Sequence, residues 1–268
     1  MILRPGVDPG YRRWTHAQGR AYFLALPKWK LLRKLKMRWQ ITQTTRRCPY
    51  NCSFCIAPRE LGRGNRLQSI DSTITDIKYQ QELVGTKYFF IVDNHFTIDW
   101  ERTEKLLSRI IEEKINWCCI CFTRLEVARD EELLRLLKKA QVNTLYMGLE
   151  SFDDGVLKLL NKAQTGENLK KALKTIKAHG LRVFDSFVLG CGGDTVETIR
   201  AAIDAAVEED VDYVALFPLS GYTEIPPPGH SLEPVLHSNL GPAGRHLREL
   251  PAEEHEAQHL ATGGQSGL

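Results

Sequence analysis

Between residue 38 and about residue 219, apolar and polar positions alternate between two periods. Short runs rich in β-branched and aromatic residues predict strands at Arg38–Thr45, Tyr88–Val92, Trp117–Thr123, Thr144–Leu149, Arg182–Leu189 and Tyr213–Phe217. Longer amphipathic runs fall between them and predict helices at Ile70–Val84, Trp100–Glu113, Asp130–Ala140, Glu167–His179 and Thr195–Glu209. Over Glu131–Lys139 the pattern is plain: Leu133, Leu134, Leu136 and Leu137 share one side and charges take the other. Gly180 follows the fourth helix as a C-terminal stop.

Strands alternating with helices predict an α/β fold with a parallel sheet and right-handed crossovers. Six units are too few for a closed eight-fold barrel. A partial (β/α)6 TIM-like barrel satisfies the pattern, with its site at the C-terminal ends of the strands. No helical run follows the sixth strand, so the barrel is expected to lack its last helix and to expose one edge.

The flanks have a different character. Residues 1–37 are basic and broken by Pro5, Gly6, Pro9, Gly10 and Pro27. Twelve Lys or Arg precede Cys48 against one acid, Asp8. The stretch Trp29–Lys36 is read as a linker that packs Trp29, Leu32 and Leu35 on the main domain. Residues 220–268 hold six of the twelve prolines and five of the eight histidines, and Tyr222 is their one aromatic residue. That segment cannot bury enough surface to offset its ordering entropy and is read as a disordered tail. The net charge of +3 is thus an average over a basic start and an acidic end. No run of eighteen apolar residues or signal-peptide core exists, which predicts a cytoplasmic protein without a transmembrane segment.

The chemistry concentrates in Arg47-Cys48-Pro49-Tyr50-Asn51-Cys52-Ser53-Phe54-Cys55. The spacing C-x3-C-x2-C places three thiols on one loop directly after the first strand, at the rim where barrels carry their sites. An electron-transfer cluster wants four thiolates, and a closed zinc site wants four ligands. Three thiolates around four irons leave one iron open. The competing reading is a zinc knuckle completed by a distant residue such as His95. Cys118, Cys119 and Cys121 lie on the third strand, with Cys119 and Cys121 on one face and Cys118 on the other. They read as small buried hydrophobes.

Polar or glycine-containing turns fall at three further strand ends. Asp93 and Asn94 end the second strand, where they offer ligand contacts or a turn before the next helix. Glu150 and Ser151 end the fourth and offer acceptors. Gly190, Gly192 and Gly193 end the fifth and allow close backbone approach, or form an ordinary turn into a helix capped by Asp194 or Thr195. Arg124 ends the third strand and can pair with a carboxylate. Cys191 shares the rim, and nothing in its surroundings activates it.

The run Gln43–Cys55 resembles the cluster loop of radical S-adenosylmethionine (radical SAM) enzymes. It is most similar to the branch in which a cobalamin (B12)-binding domain often precedes the barrel. The resemblance continues through Gly62–Arg66, Phe90–Asn94, Gly148–Ser151 and Phe187–Gly190, and it covers about residues 38–219. It implies a 4Fe–4S cluster held by Cys48, Cys52 and Cys55. The open iron would chelate S-adenosyl-L-methionine, with Phe54, Asp93, Asn94, Glu150, Ser151, Gly190 and Gly192 as cofactor-binding residues. It further implies reductive cleavage to a 5′-deoxyadenosyl radical, followed by hydrogen abstraction or methyl transfer. The implied partners are a small-molecule or lipid-like substrate and an electron donor of the flavodoxin or ferredoxin type, with no nucleic acid. Cobalamin would come from another domain or protein. Two other readings stand beside this one: a tRNA methylthiotransferase-like enzyme, and a truncated iron–sulfur-binding protein without activity. The departures that keep the last one open are Arg47 in place of glycine, Asn94-His95 in place of Asp-Asn, and the altered turn at Cys191–Asp194.

Overall fold

The computed structural model describes residues 38–57, 61, 65–190 and 194–219. The readings of 1–37 and 220–268, including the missing last helix, lie outside these residues. So do Cys191, Gly192 and Gly193.

Six parallel strands form one curled sheet in the order in which they occur in the chain: β1 (Trp39–Thr42), β4 (Tyr88–Ile91), β5 (Cys118–Thr123), β6 (Val142–Glu150), β7 (Arg182–Leu189) and β8 (Tyr213–Pro218). Sequential parallel order keeps every crossover helix on one face, as in a barrel. A doubly wound sheet would reverse its order part-way. The fold is therefore the expected α/β half-barrel.

Five of the crossover helices match the expected runs: α1 (Ile70–Val84), α2 (Trp100–Glu112), α3 (Glu131–Lys139), α5 (Gly166–Ala178) and α6 (Val196–Glu208). Ser69, Asp99, Asp130, Thr165 and Thr195 cap their N-termini by accepting a backbone N–H. The helices bury Ile77, Leu106, Leu107, Leu134, Leu137, Leu173 and Ile176 against Phe89, Ile91, Cys119, Cys121, Leu145, Met147 and Val183 of the sheet. Cys119 and Cys121 are fully buried and Cys118 is not, as alternation requires.

The opposite face, which carries no helix among the described residues, has an aromatic row across six strands. Trp39, Tyr88, Phe90, Phe122, Tyr146, Phe184 and Tyr213 contribute, and neighbouring rings lie 4.4 to 6.3 Å apart. Such tilted and offset pairs are the arrangements the ring quadrupole favours.

Two elements differ from expectation. The first strand does not run to Thr45. It stops at Thr42, and Thr45–Arg46 forms a separate two-residue strand, β2, antiparallel to β3 (Arg66–Leu67). The cause is Asp93 at the end of β4, whose carboxylate captures the Thr44 and Thr45 N–H groups. Between β6 and α5 lies a further helix, α4 (Asp154–Leu159), capped by Asp153.

Candidate active site

The cysteine loop is fixed at its base first. The β2–β3 ribbon ties together the two ends of the segment that carries the thiols. Beneath it, Asp93 is fully buried and accepts from Thr44 N at 2.6 Å, Thr44 Oγ1 at 2.6 Å and Thr45 N at 2.9 Å. Arg102 of α2 donates to Gln68 O and Thr44 O at 2.9 and 3.2 Å. Burial pushes the Asp93 carboxyl up, and these donors oppose that shift. The structure thus gives Asp93 a task in the scaffold, with both oxygens engaged. Asn94, the next residue, is exposed at the strand end.

Arg47 enters the loop at φ 80°, the left-handed region that glycine adopts without strain. The loop's crest then docks on the β6–α5 connection. Ser53 N donates to Leu160 O at 3.1 Å, Ser53 Oγ to Leu159 O at 3.0 Å, and Asn161 Nδ2 to Asn51 O at 2.7 Å. Phe54 packs against the small cluster of Val156, Leu160 and Val188. Helix α4 is therefore the shelf that holds the loop. Its signal was present in the Asp153 cap and the apolar spacing of Val156, Leu157 and Leu160.

Cys48, Cys52 and Cys55 are free and half-buried. Burial pushes the Cys48 and Cys55 thiols up. Arg124 draws Cys48 the other way, and Lys162 does so for Cys55. The Arg124 guanidinium ends β5 and meets four partners. Nη1 lies 3.7 Å from Cys52 Sγ, Nη2 lies 3.2 Å from Lys162 O and 3.3 Å from Glu126, and the Tyr50 ring centroid lies 3.8 Å away. Burial opposes its charge, and Glu126, Cys52 and Tyr50 more than offset that. His95 lies 5.9 Å from the Tyr50 ring at a tilt and is neutral, since burial and the nearby Arg124 push it down to about 3.

On the other side of the loop, Glu150 ends β6 at φ 67° and pairs with Lys162 at 3.2 Å; both are buried. Burial raises the Glu150 carboxyl and Lys162 opposes the rise. The neighbouring Ser151 hydroxyl accepts the Asp153 N–H at 3.0 Å. Gly190 turns at φ 87°, and its N–H reaches Asp194 Oδ2 at 2.7 Å. Gly192 lies outside the described residues. Sequence reasoning missed Lys162, an isolated lysine in a connection with no recognised element.

Three thiols from one loop, with a cation on the middle one, fit a cluster that leaves one iron open. Each thiolate of a cubane meets a different iron, whereas one zinc ion needs its donors at a common point. Among the described residues, no three His, Cys, Asp or Glu side chains are grouped so as to hold a single ion.

Comparison with known proteins shows the family. The model of the Radical SAM superfamily matches residues 42–217. An uncharacterised methyltransferase of Pyrococcus horikoshii is 28% identical over 173 residues, which are 65% of this chain and 38% of that protein. The hopanoid C-2 methylase of Rhodopseudomonas palustris is 28% identical over 180 residues, 65% of this chain and 34% of that protein. The chain thus spans little more than a third of the length of these relatives. Among solved structures, the radical S-adenosylmethionine methyltransferase TsrM of Kitasatospora setae, with tryptophan and a SAM analogue bound, superposes with a TM-score of 0.61. It has 19% identity over 69% of this chain and 36% of that one. Another structure of the same protein holds cobalamin and a [4Fe-4S] cluster. With the family model matched from the end of β1 into β8 and the three thiols at the rim, the chain belongs to the Radical SAM superfamily of enzymes.

Proposed function

We propose that this chain is the radical barrel of a methyl-transferring enzyme, with Cys48, Cys52 and Cys55 as the cluster ligands. The observation that carries the reading is the docked loop: three free thiols anchored to α4 and flanked by Arg124 and Lys162. When bound, the 4Fe–4S cluster supplies the electron that cleaves the sulfonium–C5′ bond of S-adenosyl-L-methionine.

The residues around the loop divide the remaining work. Phe54, packed on Val156, Leu160 and Val188, backs the thiols and excludes water. Asn94, exposed at the end of β4, takes the amino end of S-adenosyl-L-methionine, and Asp93 holds the loop beneath it. Glu150, braced by Lys162, accepts a ribose hydroxyl. Ser151 keeps its own hydroxyl proton to donate, because it accepts rather than donates toward Asp153. The left-handed turn at Gly190, with Gly192 beyond it, lets backbone lie flat against the adenine.

The aromatic row on the face opposite the helices supports a small apolar or lipid-like substrate, since it offers ring faces and little charge. The name of the hopanoid methylase points the same way. Cobalamin, as the methyl carrier, would reach this barrel from another domain or protein, and a flavodoxin- or ferredoxin-type donor would supply the electron.

Anaerobic reconstitution tests this. With dithionite and S-adenosyl-L-methionine the chain is expected to form 5′-deoxyadenosine, or S-adenosylhomocysteine once methyl acceptor cobalamin is added. Cys52→Ala should form neither. Four irons per chain without either product would leave an iron–sulfur protein and sink the enzymatic reading. One zinc per chain would sink the cluster reading as well.

A further inference from the structure

We propose that Arg124 sets the reduction potential of the cluster, as a positioning residue that acts through the Cys52 sulfur. The proposal rests on the assignment of Cys48, Cys52 and Cys55 as cluster ligands.

A guanidinium in water is mobile and screened, and it has little influence on a group it brushes against. Arg124 is neither. Its side chain is 9% exposed. It is held by the Lys162 carbonyl at 3.2 Å, by Glu126 at 3.3 Å and by the face of Tyr50 at 3.8 Å. What remains of its fork points at Cys52, with Nη1 3.7 Å from Sγ. These anchors come from three different parts of the chain. They fix the cation before any cluster arrives, so no reorganisation is needed when the charge at the sulfur changes.

The charges around it are unequal, and that makes the effect directional. Lys162, a second cation near the thiols, is matched by Glu150 at 3.2 Å, and both are equally buried. Arg124 shares its charge between Glu126, which is 22% exposed, and the Cys52 sulfur. Reduction moves one electron from the donor, of the flavodoxin or ferredoxin class, onto the cluster. The donor is oxidised by one electron, the cluster becomes one unit more negative, and no proton moves. A fixed cation against a ligand sulfur, shielded by protein, favours the more negative state. Glu126 works against it, and its distance from Arg124 sets how much of the charge the sulfur feels.

Three variants of the anaerobically reconstituted full chain test this: Arg124→Gln, Arg124→Lys and Glu126→Gln. Iron and sulfide per chain are measured first. Dye-mediated potentiometry then follows the reduced cluster by electron paramagnetic resonance. At the potential where half the wild-type cluster is reduced, Arg124→Gln should lower the reduced-to-oxidised ratio about tenfold, or about 59 mV. Glu126→Gln should raise the ratio. Arg124→Lys, which keeps the charge but not the fork, should stay within about threefold of wild type. An Arg124→Gln protein with wild-type iron content and an unchanged ratio overturns the proposal. If Arg124→Gln takes up no iron, Glu126→Gln decides, and an unchanged or lowered ratio there overturns it. A wild-type chain that assembles no cluster removes the ligand assignment itself, before any variant is compared.

Discussion

The carboxylate of Glu150 folds back over Gly148 and occupies the place where a side chain at that position would begin. The Lys162 ammonium lies beside the same spot, 3.5 Å from where that Cβ would be. Gly148 therefore serves the ion pair two residues ahead of it, and its glycine is a matter of space rather than of backbone conformation.

Gly148→Ala is expected to displace Glu150 and to cost about 1–3 kcal/mol of stability. It should also weaken S-adenosyl-L-methionine binding at least tenfold, because the carboxylate no longer lies along Lys162. Equilibrium dialysis on the reconstituted protein reads the second effect and urea unfolding the first. Wild-type binding in the variant would show that the pair does not meet the cofactor.

Asp93 binds the loop base from β4. Replacing it by alanine leaves the Thr44 and Thr45 N–H groups buried without acceptors and leaves the buried Arg102 with Asp99 in place of its main carboxylate partner. The expected loss is about 3 kcal/mol or more. Asp93→Asn keeps one acceptor oxygen and should lose less. Urea midpoints that match between wild type and Asp93→Ala would contradict this scaffold role.

Asn161 holds the loop crest at φ 53° and donates to Asn51 O. Glycine tolerates that backbone but cannot donate. Asn161→Gly is expected to leave the melting temperature within a few degrees of wild type and to speed loss of iron to a chelator severalfold. Chelator kinetics equal to wild type would show that the crest is held without this bond.

Asp185 gives a pH dependence. It is fully buried in β7, and its carboxylate accepts the N–H of Leu149, within the bulge where β6 shifts register. Burial pushes its carboxyl up to about 8; the Leu149 N–H resists, and the neighbouring Glu150 adds to the rise. An unfolded aspartate titrates near ~4. Between those values the folded chain holds a proton that the unfolded chain releases, so this contribution is full below about pH 4 and is lost as pH rises toward 8. Unfolding free energy from this site should fall from pH 5 to pH 8, and Asp185→Asn should flatten that slope. Parallel pH curves for the two proteins would refute the assignment.

The barrel was legible in the chain because each strand and helix carries its own period, and sequential order follows from the alternation. The thiols were legible because their spacing is local. What escaped was non-local. That Asp93 serves the scaffold depends on Thr44 and Thr45 arriving from another strand. Lys162 gains its meaning from Glu150, and Arg124 gains its from Cys52, across 72 positions. Helix α4 was missed because six residues give a short apolar pattern, although the Asp153 cap announced it. Arg47 stands where the resemblance expects glycine, and its backbone adopts the left-handed conformation that glycine takes freely.

A sheet whose strands pair in the order of synthesis can be assembled as it emerges, each unit docking on the one before. The thiols do not share that advantage. They follow the first strand, yet Asn161, which holds their crest, lies 110 positions later. At roughly 5–20 residues per second, about 5–20 s pass between the birth of the loop and the arrival of its support. During that interval the cysteines are open to air and to wandering metal ions. Oxygen present during translation should therefore damage this protein more than the same oxygen applied to the finished fold.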